Sequence, residues 1–195
     1  VGPSRARIAP RDMAKIAFIG THGVGKTTLC YDLAAALKKQ GVVVDIVKEV
    51  ARLSPLPINR QTSLDAQMWI LSTQIAEEIR SGAHHDVVLC DRSVLDNYAY
   101  LVLATQRQRW LEPLVNRWMK SYDLLVKVPI VGIASDDGVR DTDELFMRSI
   151  DSLVDELLAE RKLECERLPA DRRGDWAEIV ADRALALPKL AARLF

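Results

Sequence analysis

Residues 20–27, Gly-Thr-His-Gly-Val-Gly-Lys-Thr, are the stretch that most constrains how this chain folds. They match the pattern G-x-x-x-x-G-K-[S/T] at every fixed position. A short apolar run of strand type, residues 15–19, comes before them, and residues 28–40 repeat apolar side chains at helical spacing. A glycine-rich turn between a strand and a helix points successive backbone N–H groups into one concavity at the positive end of the helix dipole. The stretch is therefore predicted to be a phosphate-binding loop.

Each residue type in this loop has a chemical reason to be there. Gly20 and Gly25 allow the backbone to curl tightly. The Lys26 ammonium suits the β- and γ-phosphates of a nucleotide, and the Thr27 hydroxyl suits a Mg²⁺ ion. The position of His22 is one that usually faces solvent. We expect nucleotide contacts from His22, Gly23, Val24, Gly25, Lys26, Thr27 and Thr28.

The composition fits a globular chain and argues against several classes of protein. Of its 195 residues 49% are hydrophobic, which is enough to bury a core. Lys plus Arg (27) equals Asp plus Glu (27), so no global positive field favours nonspecific nucleic-acid binding. There is no apolar run of membrane-spanning length and no secretory signal pattern. We expect a cytoplasmic protein whose three cysteines are buried free thiols.

Beyond the loop, apolar patterning alternates between strands and helices. Further strands are predicted at residues 42–47, 86–90, 124–128 and 162–168. Helices are predicted at residues 28–40, 62–81, 93–104, 107–120, 142–161 and 175–187. Two of these helices begin with capping-box spacing, Thr62 with Asp65 and Ser93 with Asp96. Such alternation implies an α/β fold, a parallel sheet with helices on both faces.

A parallel sheet of this kind binds ligands at the carboxyl ends of its strands. The second predicted strand is followed there by Glu49 and Arg52, and the third by Asp91 and Arg92. Because the loop at residues 20–27 emerges at the same edge, we expect these side chains to lie near it. Residues 1–13 are expected to be a flexible leader, and residues 14–195 a single domain.

These motifs together resemble the P-loop nucleoside and nucleotide kinases. The pattern is closest to the small ribosylnicotinamide-kinase-like ATPases and is also similar to deoxynucleoside and thymidylate kinases. The resemblance spans about residues 15–158 and rests on the loop, on Asp91-Arg92-Ser93, and on the segment from Arg140 to Arg148. It implies a three-layer P-loop NTPase fold of about five parallel strands. It also implies a lid at about residues 130–148 that closes over the donor phosphates while the acceptor enters opposite.

The resemblance also implies roles for charged residues. Asp91 would either polarise the acceptor hydroxyl or hold a Mg²⁺-bound water, and both roles stay open beside a helix cap or an ion pair. Arg92 resembles an arginine that grips phosphate or acceptor, with a surface ion pair as its alternative. Arg140 and Arg148 resemble lid arginines that neutralise the transferred phosphoryl group. Arg148 can instead pair with Glu144, one helical turn before it.

On the acceptor side, Glu49 and Arg52 are expected to bind a ribose hydroxyl or a phosphate, a solvated charge cluster being the alternative. Gln67 and Gln74 lie two turns apart on one helix face and are predicted to hydrogen-bond a base, with Trp69 or Tyr98 stacking nearby. The turn at 171–175 follows the fifth strand and by resemblance flanks the donor base, although an ordinary charged turn explains it better.

The sequence thus predicts a Mg²⁺-dependent phosphotransferase with ATP or another NTP as donor. Its acceptor would be a nucleoside, a nucleotide or a nucleoside-like small molecule. Two alternatives stay open: a kinase of polynucleotide 5′-hydroxyl ends, and an NTP-hydrolysing switch or binding module. No membrane partner is expected, and a homodimer remains an option.

Overall fold

A parallel five-stranded sheet forms the centre of the computed structural model, which describes residues 13–58, 61–131 and 144–194. The strands lie in the order β2-β3-β1-β4-β5, and every neighbouring pair is parallel. Their bounds are β1 Ala14–Ile19, β2 Val44–Val47, β3 Val87–Cys90, β4 Leu124–Lys127 and β5 Glu166–Arg167. This confirms the predicted fold class, and β1 lies centrally, so the loop that follows it opens in the middle of the sheet edge.

Seven α-helices in the described ranges surround the sheet. They are α1 Lys26–Lys39, α2 Leu64–Gly82, α3 Val94–Thr105, α4 Glu112–Met119, α5 Glu144–Glu160, α6 Trp176–Leu185 and α7 Pro188–Leu194. Single 3₁₀ turns follow β2 and precede α6, at Val50–Leu53 and Arg173–Asp175. Among the described helices, none combines the length and the apolar character needed to cross a membrane.

Two apolar clusters, one on each face of the sheet, give the fold three layers. Ile16 and Phe18 of β1 belong to the cluster that includes residues of α1, α6 and α7. Ala17 and Ile19 belong to the other, which includes residues of α2, α3, α4 and α5. Neighbouring residues of one strand thus supply opposite layers, as the period of two in a strand requires. Both faces are covered, which explains why the central strands β1, β3 and β4 are mostly apolar.

Four elements, α2, α4, α7 and β5, differ from the predicted ones. The N-cap of α2 is Ser63, whose Oγ accepts the N–H of Ala66 at 3.2 Å, so the capping box predicted at Thr62 is wrong. Helix α3 ends at Thr105, where Gln106 adopts φ 67°, and α4 begins only at Glu112 with a proline in its first turn. Helix α7 was not predicted, and β5 is shorter than the predicted strand. The capping box of Ser93 with Asp96 is confirmed.

Candidate functional site

The loop between β1 and α1 has a backbone that depends on its glycines. Gly20, Gly23 and Gly25 have φ values of 127°, 75° and 101°, a region that residues with a Cβ rarely adopt. A Cβ on Gly20 would also lie 2.8 Å from the carbonyl oxygen of Val128. The glycine pattern seen in the sequence is therefore a geometric requirement, and it curls the loop around the start of α1.

Asp96 of α3 joins the loop to the neighbouring helix. Its Oδ1 accepts the N–H of Gly20 at 2.8 Å, while its Oδ2 accepts the N–H of Ser93 at 2.8 Å and the Oγ–H of Ser93 at 2.7 Å. The capping-box spacing identified the second set of bonds but gave no sign of the first. Because Asp96 is fully buried, one carboxylate fixes both the start of the loop and the start of α3.

Lys26 is held inside the loop with its ammonium group against backbone carbonyls. Nζ donates to the carbonyl of Gly20 at 3.0 Å and to that of Thr21. Burial, and next the positive charge of Arg92, lower the pKa of Lys26 to about 8. An anion placed beside this ammonium would reverse part of that shift, so the loop is electrostatically suited to phosphate.

Thr27 and Asp91, the two residues predicted to serve a Mg²⁺ ion, are in direct contact. The Thr27 hydroxyl donates to Asp91 Oδ2 at 2.5 Å, and Asp91 is buried just beyond β3. Within the described ranges, no group of three or more His, Cys, Asp or Glu side chains is placed to hold a metal. One hydroxyl and one carboxylate fit Mg²⁺ bound to a nucleotide, since Mg²⁺ keeps several waters and takes its other ligands from phosphates.

Arg92 is buried and paired, not a surface residue. Its Nε and Nη2 donate to Oε1 of Glu49 at 2.9 and 2.7 Å, and its guanidinium lies 4.8 Å from the ring centroid of Tyr100. Burial by itself would lower the pKa of Arg92, but Glu49, Tyr100 and Asp96 together outweigh it and the pKa is raised. Arg52 donates to the other oxygen of Glu49 at 3.1 Å. Glu49 thus pairs with both arginines, and its ion pair with Arg92 is largely buried.

Two adjoining pockets open at this edge of the sheet. The first, which we call the loop cleft, has a volume of about 460 Å³. The predicted residues that line it are His22, Gly23, Gly25, Lys26, Thr27, Thr28, Glu49, Arg52, Asp91 and Arg92. The side chain of Val24 instead packs into the core. The structure therefore brings together most of the residues that the sequence assigned to the nucleotide.

The second pocket, called the side pocket, shares His22, Glu49, Arg52 and Arg92 with the cleft. Its remaining lining residues are Ala51, Ile58, Gln67, Ile70, Asn97 and Tyr100. Two buried donors at its wall, Nη1 of Arg92 and Nδ2 of Asn97, have no hydrogen-bond partner in the described part of the chain. Unsatisfied buried donors are costly, so they mark where a ligand with hydrogen-bond acceptors would fit.

Two residues predicted to bind a base lie elsewhere, and those assignments are corrected. Gln74 is fully buried and donates to Glu78 Oε1 at 2.9 Å and to the Arg92 carbonyl at 3.2 Å. The Tyr98 hydroxyl donates to Glu112 at 2.6 Å, on the side of α3 that faces α4. Residues two apart on a helix point in nearly opposite directions, so Tyr100, not Tyr98, reaches the side pocket.

His22 and Arg173 were also misjudged from the sequence. His22 is only 4% exposed, with Nδ1 2.9 Å from the Tyr100 hydroxyl and its ring 6.0 Å from that of Phe146, so the expectation that it faces solvent is wrong. Arg173 was interpreted as part of a charged turn, yet it lines the loop cleft, and its Nη2 would lie 3.6 Å from a Cβ on Gly25. The only feature of the sequence that could have placed Arg173 at the cleft is its position shortly after the fifth predicted strand.

Arg148, the predicted lid arginine that the structure describes, does not line the loop cleft. Nε and Nη2 of Arg148 donate to Oε1 of Glu144 at 2.9 and 2.6 Å, and both side chains are exposed. The helical ion pair considered as the alternative is therefore the arrangement observed. Arg140 and most of the predicted lid at 130–148 lie outside the described residues, as does nearly all of the predicted leader.

Comparison with known proteins places this geometry in a wider context. A family model, AAA_28 (AAA domain), matches residues 15–178. The fold is similar to a NadR protein in complex with NR, at 20% identity and a TM-score of 0.73, over 90% of this chain and 51% of that one. A NadR protein in complex with NAD and AMP-PNP gives 18% identity and a TM-score of 0.70, over 90% and 49%.

The chain spans about half the length of these NadR chains, and at such identities the likeness shows the fold alone. No curated protein matches the chain in sequence. The resemblance to ribosylnicotinamide-kinase-like P-loop proteins is thus confirmed at the level of a P-loop NTPase fold.

Proposed function

The chain belongs to this family of AAA domains, and on that premise we propose that it is an ATP- and Mg²⁺-dependent kinase of a nucleoside, nucleotide or nucleoside-like acceptor. One observation carries the proposal. The loop cleft adjoins a second pocket that presents two unsatisfied donors, Arg92 Nη1 and Asn97 Nδ2. An enzyme that only hydrolyses a nucleotide has no need of a second polar pocket, whereas a phosphotransferase does. The NR, NAD and AMP-PNP bound to the NadR proteins agree with ligands of both kinds.

The loop cleft is suited to the donor. The loop amides and Lys26 would hold the phosphates, with Lys26 fixed by the Gly20 carbonyl. Thr27 and Asp91 would hold Mg²⁺, which supplies neutralisation of the phosphate oxygens when bound. The 2.5 Å contact between these two residues supports this role for Asp91 over that of a proton acceptor. Arg173 adds a further cation to the same wall.

Glu49 is the group best placed to meet the acceptor hydroxyl. It lines both pockets, whereas Asp91 lines only the loop cleft among the pockets described. A carboxylate between donor and acceptor can orient a hydroxyl and take its proton as the new O–P bond forms and the bond from the γ-phosphorus to the departing ADP oxygen breaks. Arg92 is bonded to Glu49 and its pKa is raised, so it stays cationic. It can therefore stabilise negative charge on the oxygens of the transferred phosphoryl group.

The proposed function is tested by following label from γ-labelled ATP. The protein is incubated with Mg²⁺ and, in separate reactions, free nucleosides, nucleoside monophosphates and a 5′-hydroxyl oligonucleotide. Label on a free nucleoside or nucleotide supports the proposal. Label on the oligonucleotide alone favours a polynucleotide kinase instead, and slow phosphate release with no labelled acceptor favours a nucleotide-driven switch.

Replacing Asn97 by leucine is expected to weaken acceptor binding specifically. The change removes a buried donor from the side pocket at nearly constant size, so an acceptor's oxygen or ring nitrogen loses its partner. We expect the KM of the acceptor to rise about 10- to 100-fold while the KM of ATP is unchanged. Steady-state kinetics against each substrate measure both values. Asn116→Leu, at an exposed position of α4, is the control, and an equal rise in both KM values would contradict the assignment.

Nucleotide binding is expected to depend on pH through Lys26. With a pKa of about 8, its ammonium loses a proton as the pH rises above that value, whereas bound phosphate favours the charged form and raises the pKa. Binding at pH 8 to 9 should therefore take up protons, and affinity should fall above pH 8. Calorimetry in two buffers of different ionisation enthalpy measures the uptake. Lys26→Met should lack it, and proton release by the unaltered protein would contradict the model.

A further inference from the structure

The backbone of Arg92 is held in a conformation that arginine rarely adopts. Its φ is 131°, in the region that favours glycine, although its side chain is buried and paired. Strain of this kind persists only where the surroundings fix it, and it gathers at functional sites. Relaxing φ would turn the whole side chain away from Glu49 and the side pocket. Something must therefore hold the peptide after Arg92 in place.

Gln74 of α2 makes that contact. Its Nε2 donates to the Arg92 carbonyl at 3.2 Å and to Glu78 Oε1 at 2.9 Å. Because both partners are acceptors, the amide nitrogen and not the oxygen must face them. The Gln74 Oε1 is left with no partner among the described residues, although it is buried. A glutamine that leaves one polar atom unsatisfied in order to bond this carbonyl is not explained by stability alone.

Glu78, the other acceptor of the Gln74 amide, holds Gln74 in place. It is fully buried and accepts from the Tyr122 hydroxyl at 2.6 Å, from Trp118 Nε1 at 2.7 Å and from Lys15 Nζ at 2.9 Å. Lys15 lies in β1, and its Nζ is also 4.5 Å from the Trp118 ring centroid. A carboxylate that accepts from four donors, one of them the Lys15 ammonium, cannot move easily, so the polar chain from Lys15 through Glu78 to Gln74 is rigid.

We infer that Gln74, anchored by Glu78, is a positioning residue that aims Arg92 at the side pocket. It contacts neither pocket in the described residues, and it acts through the backbone of Arg92. The catalytic meaning of this role rests on the proposed function, but the positioning itself does not. It predicts that loss of the Gln74 amide loosens the guanidinium of Arg92 even though every side-chain partner of Arg92 is still present.

NMR of arginine-labelled protein tests the inference directly. The Arg92 Nε–H, bonded to Glu49 and buried, should give a slowly exchanging signal that Arg92→Lys removes. In Gln74→Met this signal should exchange at least about tenfold faster, the effect of losing one buried hydrogen bond. Ser81→Ala is the matched control, because it removes a hydrogen bond of the same helix, to Asp45, and leaves the bonds of Gln74 to Arg92 and Glu78 intact. The Arg92 signal of this control variant should be unchanged, even if its Tm falls as far as that of Gln74→Met.

An unchanged Arg92 signal in Gln74→Met, or the same acceleration in Ser81→Ala, would overturn the inference. If the methionine variant does not fold, Gln74→Ala is measured in the same way, since a smaller side chain leaves room for repacking. The kinetic readout is separate: Gln74→Met should raise the acceptor KM or lower kcat while the KM of ATP is unchanged. A protein without any kinase activity would refute the proposed function and leave the NMR result to decide the positioning role.

Discussion

Lys26→Met should abolish phosphoryl transfer and leave the protein folded. The ammonium lies inside the loop against the Gly20 carbonyl, where it would meet the donor phosphates. Losing one such preorganised charge costs about 10²–10³ in rate, and loss of nucleotide affinity adds to it. Stability should change little, because burial already disfavours the charged form of Lys26, as its lowered pKa shows. Initial rates with labelled ATP and a thermal melt measure the two effects.

Lys38→Met is the matched control for this change. Lys38 lies in the last turn of the same helix and is exposed at the end far from the loop, so its loss should leave the rate unaltered. The melt separates a chemical effect from a folding one. A folded Lys26→Met protein that still works within a few-fold of the unaltered one would refute the role of the loop in binding the donor.

The sheet and its loop were predictable because their causes are local in the sequence. Strand β3 reads Val-Val-Leu-Cys, a run typical of a strand buried on both faces, and Ser93 with Asp96 marks the start of the next helix within four residues. Gly20, Gly23 and Gly25 adopt the positive φ values that their spacing suggested. Local chemistry of this kind can be recognised without knowing the rest of the fold.

The acceptor side was harder because it depends on how distant elements are packed. Helical spacing put Gln67 and Gln74 on one face of α2. It could not show that only Gln67 lines the side pocket, while Gln74, two turns later, bonds the Arg92 carbonyl. Asn97 and Tyr100 were missed for the same reason, since α3 has to be rotated correctly against the sheet before its pocket face is known. His22 is buried by Phe146, more than a hundred residues away.

Asp91→Asn is the second change from which we expect a large loss. Asparagine keeps an oxygen that can accept the Thr27 hydroxyl but removes the negative charge beside it. If Asp91 serves Mg²⁺, turnover at limiting Mg²⁺ should fall about 10²–10³-fold, the usual effect of losing one electrostatic stabiliser. Raising the Mg²⁺ concentration should recover part of it, because the hydroxyl and the nucleotide phosphates still bind the ion. Initial rates over a Mg²⁺ titration measure this recovery.

Asp65→Asn is the control for this change, because it removes a carboxylate that lies outside both pockets. Asp65 is exposed in the first turn of α2, so its Mg²⁺ titration should coincide with that of the unaltered protein. A loss of turnover in Asp91→Asn that no concentration of Mg²⁺ relieves would contradict the metal role and favour proton transfer to Asp91. Since Glu49 and not Asp91 borders the side pocket, the geometry leads us to expect relief. Full turnover in Asp91→Asn would exclude both roles and leave Asp91 as the fixed partner of Thr27.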